Sequence, residues 1–157
     1  MGGGYLFSRM QENIGYFLGL TGSPLKGEEI VQCGIADYFV KSENLKKLEK
    51  KIQEKVNQGQ EVDVKGLHQV VKEYAEPING LYKNAGFISK VFGKPTLEEI
   101  CRELENQSTT NEFAKGLFER VKGNSPVGMK VIYEQIRQGS EIDFKESLKV
   151  DMRITKK

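Results

Sequence analysis

NIGYFLGLTGSPLKGEEIVQCGIADYFV, residues 13–40, carries the strongest signals for the expected fold. Its first half predicts a mostly apolar helix, buried on more than one side, that Gly-Ser-Pro at 22–24 terminates. Its second half predicts a short helix ending at Gly34 and then a strand over residues 35–40, which contain the β-favouring run YFV. A lone strand cannot satisfy its own backbone hydrogen bonds, so we expect it to pair with another segment or another chain.

Three glycines, Gly2, Gly3 and Gly4, precede this stretch directly behind the first methionine. They do not fit a myristoylation signal, because Leu6 stands where Ser or Thr is required. They also lack the Gly-Lys-Ser/Thr of a P-loop and the spacing of a dinucleotide fingerprint. A plain loop and a ligand cradle both remain open. Unobstructed backbone N–H groups can approach a ligand, and a helix beginning at Tyr5 or Leu6 would place them at its positive end.

The sequence after residue 40 predicts a series of amphipathic helices. A polar stretch, NQGQEVD at 57–63, separates the first two of them, and Pro77 follows the second. A final short helix is expected from about 143 to 153. The expected N-caps are Ser42, Thr96 (in a capping box), Asn111 and Ser125, the last followed by a proline at the first helical position. The whole chain is expected to hold seven or eight helices and one strand.

Composition describes a soluble protein of the size of one domain. The 157 residues are 38% hydrophobic and 29% charged, with a net charge of +2 that predicts no strong electrostatic partner. Charge alone therefore does not predict a nucleic-acid binder. No apolar run approaches the roughly 18 residues of a membrane span, and neither a secretory nor a transit signal is visible. We expect no membrane partner.

Residues that usually carry catalysis or bind metals are scarce. His68 is the only histidine and is expected at the flank of an apolar helix stripe, while Cys33 and Cys101 lack a Cys-x-x-Cys partner and are expected to be buried and reduced. The adjacent pairs Glu28-Glu29 and Glu98-Glu99 diverge by about 100° on a helix, so they are expected to favour helix N-termini rather than share a proton. We expect no metal site and no resident cofactor.

Five lysines are expected on the exposed side of the Ser42 helix, where they could form a surface for RNA. Three glutamates interrupt the group, so a solvated helix face is favoured over a stripe that follows a phosphate backbone. The lysines are Lys46, Lys47, Lys50, Lys51 and Lys55, and the glutamates are Glu43, Glu49 and Glu54.

Taken together, GGGYLFSRM at 2–10 and the stretch at 13–40 closely resemble the 3-hydroxyisobutyryl-CoA hydrolase branch of the enoyl-CoA hydratase/isomerase, or crotonase, superfamily. The family pattern is approximately GGGYxLxRL…xLGxFLxLTGxxLKGxDxxxxGIAxHFV. PTLEEI, NSPVGMKV and VDMRI look like the family's later helices, whereas residues 58–93 match poorly. The matching positions are Gly2 to Tyr5, Arg9, Gly15, Phe17, Leu18, Leu20 to Gly22, Leu25 to Gly27, Gly34 to Ala36, Phe39 and Val40.

The resemblance implies an α/β crotonase-like fold, a ββα superhelix, of which this chain is the mostly helical C-terminal part. Residues 1–157 are then one part of a crotonase-like domain, with 1–40 as the best-matching core segment and 41–157 as a helical region. The resemblance also makes Gly2, Gly3 and Gly4 the candidate substrate-binding residues. It implies no metal or redox cofactor, only the CoA of a thioester substrate.

The resemblance places the family's catalytic groups upstream of the glycines. A catalytic aspartate precedes the triple glycine with one residue between them, and a catalytic glutamate lies a few residues further upstream. The oxyanion-hole donors and most of the sheet strands also belong to the family's N-terminal half. We therefore expect this chain to contain no catalytic residue of its own and to need that half as a partner, either as a separate chain or as a missing segment.

Two functions follow from these expectations. The favoured one is a non-catalytic, crotonase-like structural component of a larger mitochondrial assembly, because the family's catalytic half is missing, the expected strand has no partner and the lysines are expected to be exposed. Members of this branch look to have been recruited into the small subunit of the mitochondrial ribosome, which makes a mitochondrial ribosomal protein the concrete version. The alternative is the C-terminal half of a split or truncated 3-hydroxyisobutyryl-CoA hydrolase of valine catabolism, completed by an N-terminal partner. A stand-alone helical interaction module is the third and least favoured. Mitochondrial location is implied by the resemblance alone.

Overall fold

The computed structural model describes residues 2–57, 63–80 and 82–156. These residues form ten α-helices and one short 3₁₀ helix, Gln11–Asn13. The helices are α1 (Gly3–Phe7), α2 (Ile14–Thr21), α3 (Glu28–Gln32), α4 (Ser42–Asn57), α5 (Val64–Lys72), α6 (Ala85–Phe92), α7 (Leu97–Ser108), α8 (Glu112–Gly123), α9 (Pro126–Gly139) and α10 (Phe144–Thr155). The chain divides into two compact units, one of Met1–Pro24 with Lys83–Lys157 and one of Leu25–Tyr82.

The prediction of a strand over residues 35–40 is wrong. Val40 forms a single isolated antiparallel bridge with Ala75, and the N–H of Glu76 donates to the carbonyl of Phe39 at 2.9 Å. The described residues contain no second strand that could extend this pairing. A β-favouring run without a partner strand forms one rung instead of a ladder, because strand geometry depends on its neighbours.

The prediction of seven or eight helices is too low, because two short helices escaped it. α1 begins at the glycines, where a loop was one of the two expectations, and α6 lies in the stretch that resembles the family poorly. The inward residues of α6 still follow helical spacing; they are Ala85, Ile88, Val91 and Phe92.

The expected cap Ser42 is instead the first residue of α4. Residues 58–62 of the predicted polar stretch lie outside the described residues.

Helix α2 lies at the centre of the larger unit, and its predicted burial on more than one side is confirmed. It contacts α1, α6, α8 and α9. Phe17 is only 1% exposed and meets the ring of Phe92 edge to face, with ring centroids 5.7 Å apart. Gly22 ends the helix in the left-handed conformation, as the terminating Gly-Ser-Pro predicts. The apolar residues of α2 thus form the core of the larger unit.

The N-caps predicted at Thr96, Asn111 and Ser125 are confirmed. Each side-chain oxygen accepts a backbone N–H from two or three residues further along the chain. Asn111 accepts two of them, from Phe113 at 2.9 Å and from Ala114 at 3.2 Å. These bonds satisfy donors that the first turn of a helix leaves without an intrahelical acceptor.

Replacing Asn111 by alanine is expected to lower the free energy of unfolding by about 1 kcal/mol, because α8 loses the acceptor of two backbone N–H groups. Urea unfolding followed by circular dichroism measures the change. Asn106→Ala is the matched control, since Asn106 is exposed within α7 and caps no helix. An Asn111→Ala protein as stable as the Asn106→Ala protein would contradict the capping role.

The smaller unit contains α3, α4 and α5. α4 packs against α5 but buries none of its own residues, whereas Val70 of α5 is fully buried. The lysines of α4 are exposed or half-exposed, and Lys50 lies 4.0 Å from the carboxylate of Glu54. These lysines thus lie on the exposed side of α4, as the sequence predicts. Across the described ranges, no helix has both the length and the hydrophobicity needed to cross a membrane.

Candidate functional site

The three glycines form the start of α1 rather than a plain loop. Gly2 is the N-cap, with φ at 90°, and Gly3 and Gly4 are the first two residues of the helix. A side chain at Gly2 would be strained at this φ, and its Cβ would lie 3.4 Å from the ring of Phe144. The N–H groups of Gly3 and Gly4 have no intrahelical acceptor, because they belong to the first turn.

Gly4 lies where α1 packs closely against α9. A Cβ on Gly4 would lie 3.1 Å from the carbonyl oxygen of Gln135. Across the same crossing, a Cβ on Gly139 would overlap the carbonyl oxygen of Gly4. Glycine on both helices therefore allows the two backbones to approach more closely than side chains would permit. The helix begins at Gly3, two or three residues before the start at Tyr5 or Leu6 that the sequence analysis considers.

Gly3 differs from its two neighbours, because nothing in the described residues requires a glycine there. Its φ is not in the left-handed region, and no heavy atom lies within 4 Å of the position that a Cβ would occupy. Gly3 and Gly4 line a cavity of about 330 Å³. Phe7, Ile132 and Ile136 supply apolar wall, and Gln135, Asp151 and Thr155 supply polar groups. The cavity is therefore mixed in character.

A carboxylate from the far end of the chain holds the amino end of α1. Oδ2 of Asp151 accepts the N–H of Gly2 at 2.5 Å, and Oδ1 accepts Nε2 of Gln135 at 3.0 Å. Asp151 is 7% exposed. Sequence reasoning missed both partners. One signal was available, since Asp151 falls four residues after Ser147 on the inward face of an amphipathic helix, where an acidic residue is unusual.

Arg9 holds the other end of α1. Its guanidinium donates to the carbonyl of Gly139 at 2.8 Å and to that of Ile142 at 3.0 Å. It also lies 3.5 Å from the centre of the Tyr5 ring, a cation–π distance. Arg9 belongs to the sequence pattern that carried the family resemblance, and in this structure it donates hydrogen bonds to backbone carbonyls. Hydrogen bonds therefore connect both ends of α1 to the segment from α9 to α10.

The other residues that the sequence singled out do not line the cavity beside the glycines. His68 is exposed on α5, with Nδ1 3.2 Å from the hydroxyl of Tyr38. Cys33 is buried and Cys101 half-buried, and burial raises the pKa of both thiols, with nearby glutamates adding to the effect. Glu98 lies in the first turn of α7, as expected. No group of three or more His, Cys, Asp or Glu side chains gathers within the described ranges to hold a metal ion.

A second cavity, of about 680 Å³, lies between the start of α7, α9 and α10. Its walls include Val127, Val131 and Val150, so it is mainly apolar. At its rim Arg137 bonds both carboxylate oxygens of Glu134, and these bonds lower the pKa of Glu134 to about 2. The carboxylate is therefore ionised at neutral pH and is not suited to act as a proton donor.

The sequence profile of the family described as Enoyl-CoA hydratase/isomerase matches residues 1–157. The chain belongs to this family. The resemblance to its 3-hydroxyisobutyryl-CoA hydrolase branch is also confirmed. The "3-hydroxyisobutyryl-CoA hydrolase, mitochondrial" of Dictyostelium discoideum is 33% identical over 156 residues, which cover 99% of this chain and 41% of the relative. The human protein of the same name is 30% identical over 99% of this chain and 40% of its own length.

A relative with a different name covers the same region. "Small ribosomal subunit protein mS47" of Arabidopsis thaliana is 28% identical to this chain. The match covers 98% of this chain and 38% of the ribosomal protein. The chain thus spans about two fifths of the length of the curated relatives it matches. The hydrolases and the ribosomal protein match nearly equal shares of this chain, so coverage does not distinguish them.

The expected crotonase-like fold is supported by a solved structure. The crystal structure of a carnitinyl-CoA dehydratase from Mycobacterium thermoresistibile superposes with a TM-score of 0.76 over 94% of this chain and 41% of that chain, at 20% identity. At this identity the likeness concerns the fold alone. The described residues of this family member supply helices to that fold and no strand, which corrects the expected element content.

Proposed function

We propose that this chain is the C-terminal part of a hydrolase for CoA thioesters of the 3-hydroxyisobutyryl-CoA type, acting in mitochondria. In the reaction, water attacks the thioester carbonyl and CoA leaves as its thiol. The rest of a crotonase-like domain supplies the acid/base carboxylates and the oxyanion-hole donors. This chain contributes the glycine segment, which lies beside the substrate, and the cavity below it. The relatives that carry the hydrolase name, at 30–33% identity over nearly the whole chain, support the substrate class.

The observation that carries this proposal is the glycine at position 3. Gly2 and Gly4 have structural reasons within this chain, namely a positive φ and a close helix crossing, and Gly3 has neither. Gly3 lines the cavity of about 330 Å³. Gly86 and Gly116 have equally open space at their Cβ positions but do not line this cavity, so the place of Gly3 on the cavity wall supports a substrate there.

The geometry also limits how the segment can bind. The N–H of Gly2 already donates to Asp151, so it is not available to a thioester oxygen. The N–H groups of Gly3 and Gly4 have no intrahelical acceptor and are the donors that remain. No side chain of the segment can transfer a proton, because all three residues are glycines. The role proposed for the chain is therefore to bind and orient the substrate.

Gly3→Ala is expected to leave the fold intact and to lower kcat/KM for 3-hydroxyisobutyryl-CoA by about tenfold or more, which corresponds to about 1.4 kcal/mol. The assay follows thiol release with the chain joined to, or reconstituted with, the rest of the crotonase-like protein. Gly86→Ala is the matched control, because Gly86 also lies in a helical first turn with no heavy atom within 4 Å of its Cβ position. Equal activity of the two variants would exclude a substrate over Gly3. A complete wild-type protein without turnover would overturn the hydrolase proposal.

A second candidate function has its own observation. The ribosomal relative, mS47, matches 98% of this chain at 28% identity, so a structural role in a ribosomal small subunit is the alternative. Mass spectrometry of the complex isolated from the native source distinguishes the two. One stoichiometric partner with a crotonase N-terminal half and both carboxylates would support the hydrolase. Copurification with dozens of ribosomal proteins would support the structural role.

A further inference from the structure

Asp151 is a buried carboxylate that the proposed function does not yet use. Its two partners are neutral donors, the backbone N–H of Gly2 and the amide of Gln135. No Lys or Arg within the described part of the chain forms an ion pair with it. The carboxylate is 7% exposed and lies on α10, 149 residues from Gly2 in sequence.

A buried charge without a cation is costly, and only its hydrogen bonds offset that cost. Apolar residues of similar volume often replace buried charged groups without loss of stability. Stability alone therefore gives little reason for an aspartate at this position. What an apolar residue cannot reproduce is the hydrogen bond that fixes the N-cap of α1 at Gly2. The bond connects α10 to the glycine segment directly.

The same carboxylate lines the cavity below Gly3. Gly2 is bonded to Asp151, and the carbonyl of Gly2 accepts the N–H of Leu6 at 3.0 Å, which closes the first turn of α1. Gln135 lies on α9 beside Gly4 and holds the second carboxylate oxygen at 3.0 Å. Two helices thus determine the direction in which the amino end of α1 points.

We propose that Asp151 is a positioning residue for substrate binding by the glycine segment. By accepting the N–H of Gly2, it holds the amino end of α1 so that Gly3 lies on the wall of the cavity. The inference rests on the proposed hydrolase function. Asp151 does not touch the reacting atoms, so its effect passes through the position of Gly2 and α1.

The test compares Asp151→Asn, Asp151→Glu and the control Glu146→Gln, which removes one charge from an exposed side chain of the same helix. Amide hydrogen exchange is measured at Gly2 and Leu6, with the N–H of Ile100 in α7 as an internal reference. In Asp151→Asn, exchange at Gly2 and Leu6 is expected to accelerate by about tenfold or more, because the charged acceptor is lost. Exchange at Ile100 stays unchanged. Glu146→Gln leaves all three rates unchanged.

The kinetic readout separates positioning from a merely structural role. In the complete protein, Asp151→Asn is expected to lower kcat by about tenfold with the melting temperature unchanged, and Asp151→Glu restores most of the loss. Parallel losses of melting temperature and activity in all Asp151 variants would overturn the inference. If Asp151→Asn does not fold, Asp151→Ser takes its place, because it withdraws the acceptor from Gly2, and unaltered exchange at Gly2 and Leu6 in that variant overturns the inference as well. A wild-type protein without turnover overturns the hydrolase proposal, while the exchange rates still decide whether Asp151 positions α1.

Discussion

Replacing Phe17 by alanine is expected to lower the free energy of unfolding of this chain by about 3–5 kcal/mol. Phe17 lies on α2 and is 1% exposed. Its ring contacts Phe92 edge to face at 5.7 Å and Phe113 at 6.3 Å, so three helices meet on it. Alanine would leave a void at the centre of the larger unit, and rigid helices on several sides cannot close it.

Equilibrium urea unfolding, followed by far-UV circular dichroism, measures this loss. The matched control is Phe144→Ala, because Phe144 is 52% exposed and, among the residues that the structure describes, its ring meets only that of Tyr5. The control is expected to lose clearly less than half as much stability, in proportion to the smaller area it buries. Similar losses for the two variants would mean that α2 is not the centre of the core.

Gly139→Ala is expected to destabilise the chain by about 3 kcal/mol, at the upper end of the usual cost of overpacking. The added Cβ would overlap the backbone carbonyl of Gly4, which cannot rotate away as a side chain could. α1 and α9 must separate to admit the methyl group. The same movement shifts the glycine segment and weakens the hold of Arg9 on the carbonyl of Gly139. We therefore expect substrate binding to fail together with stability.

Gly116→Ala is the control for this substitution, because Gly116 lies in the interior of α8 with no heavy atom within 4 Å of its Cβ position. It is expected to raise the free energy of unfolding by about 0.5–1 kcal/mol, since alanine favours a helix over glycine. Calorimetry of thermal unfolding measures both changes. The stability of Gly139→Ala is expected to fall and that of Gly116→Ala to rise. A Gly139→Ala protein with wild-type stability would show that α1 does not pack closely on α9.

The predictions that succeeded rest on local chemistry. The apolar spacing of residues 14–20 predicts the central helix, and the side chains of Thr96, Asn111 and Ser125 predict where later helices begin, because a cap and an apolar face act within one or two turns. The prediction that failed, the strand at 35–40, needed a partner strand, which local propensity cannot supply. α6 was missed although its apolar spacing is helical, because its eight residues gave a short signal.

The sequence by itself determined the helices with strong caps and, through its pattern of glycines and aromatic residues, membership of the enoyl-CoA hydratase/isomerase family. It also singled out Gly2, Gly3 and Gly4 as one group, whose role as a substrate site stays a proposal. Only the tertiary structure showed that the three glycines have different environments. It gave Gly2 a positive φ, packed Gly4 against α9 and left open space over Gly3. It also brought Asp151 to Gly2 across 149 residues. Such contacts depend on how α9 and α10 pack against α1, and neither a propensity nor a spacing along the chain encodes that packing.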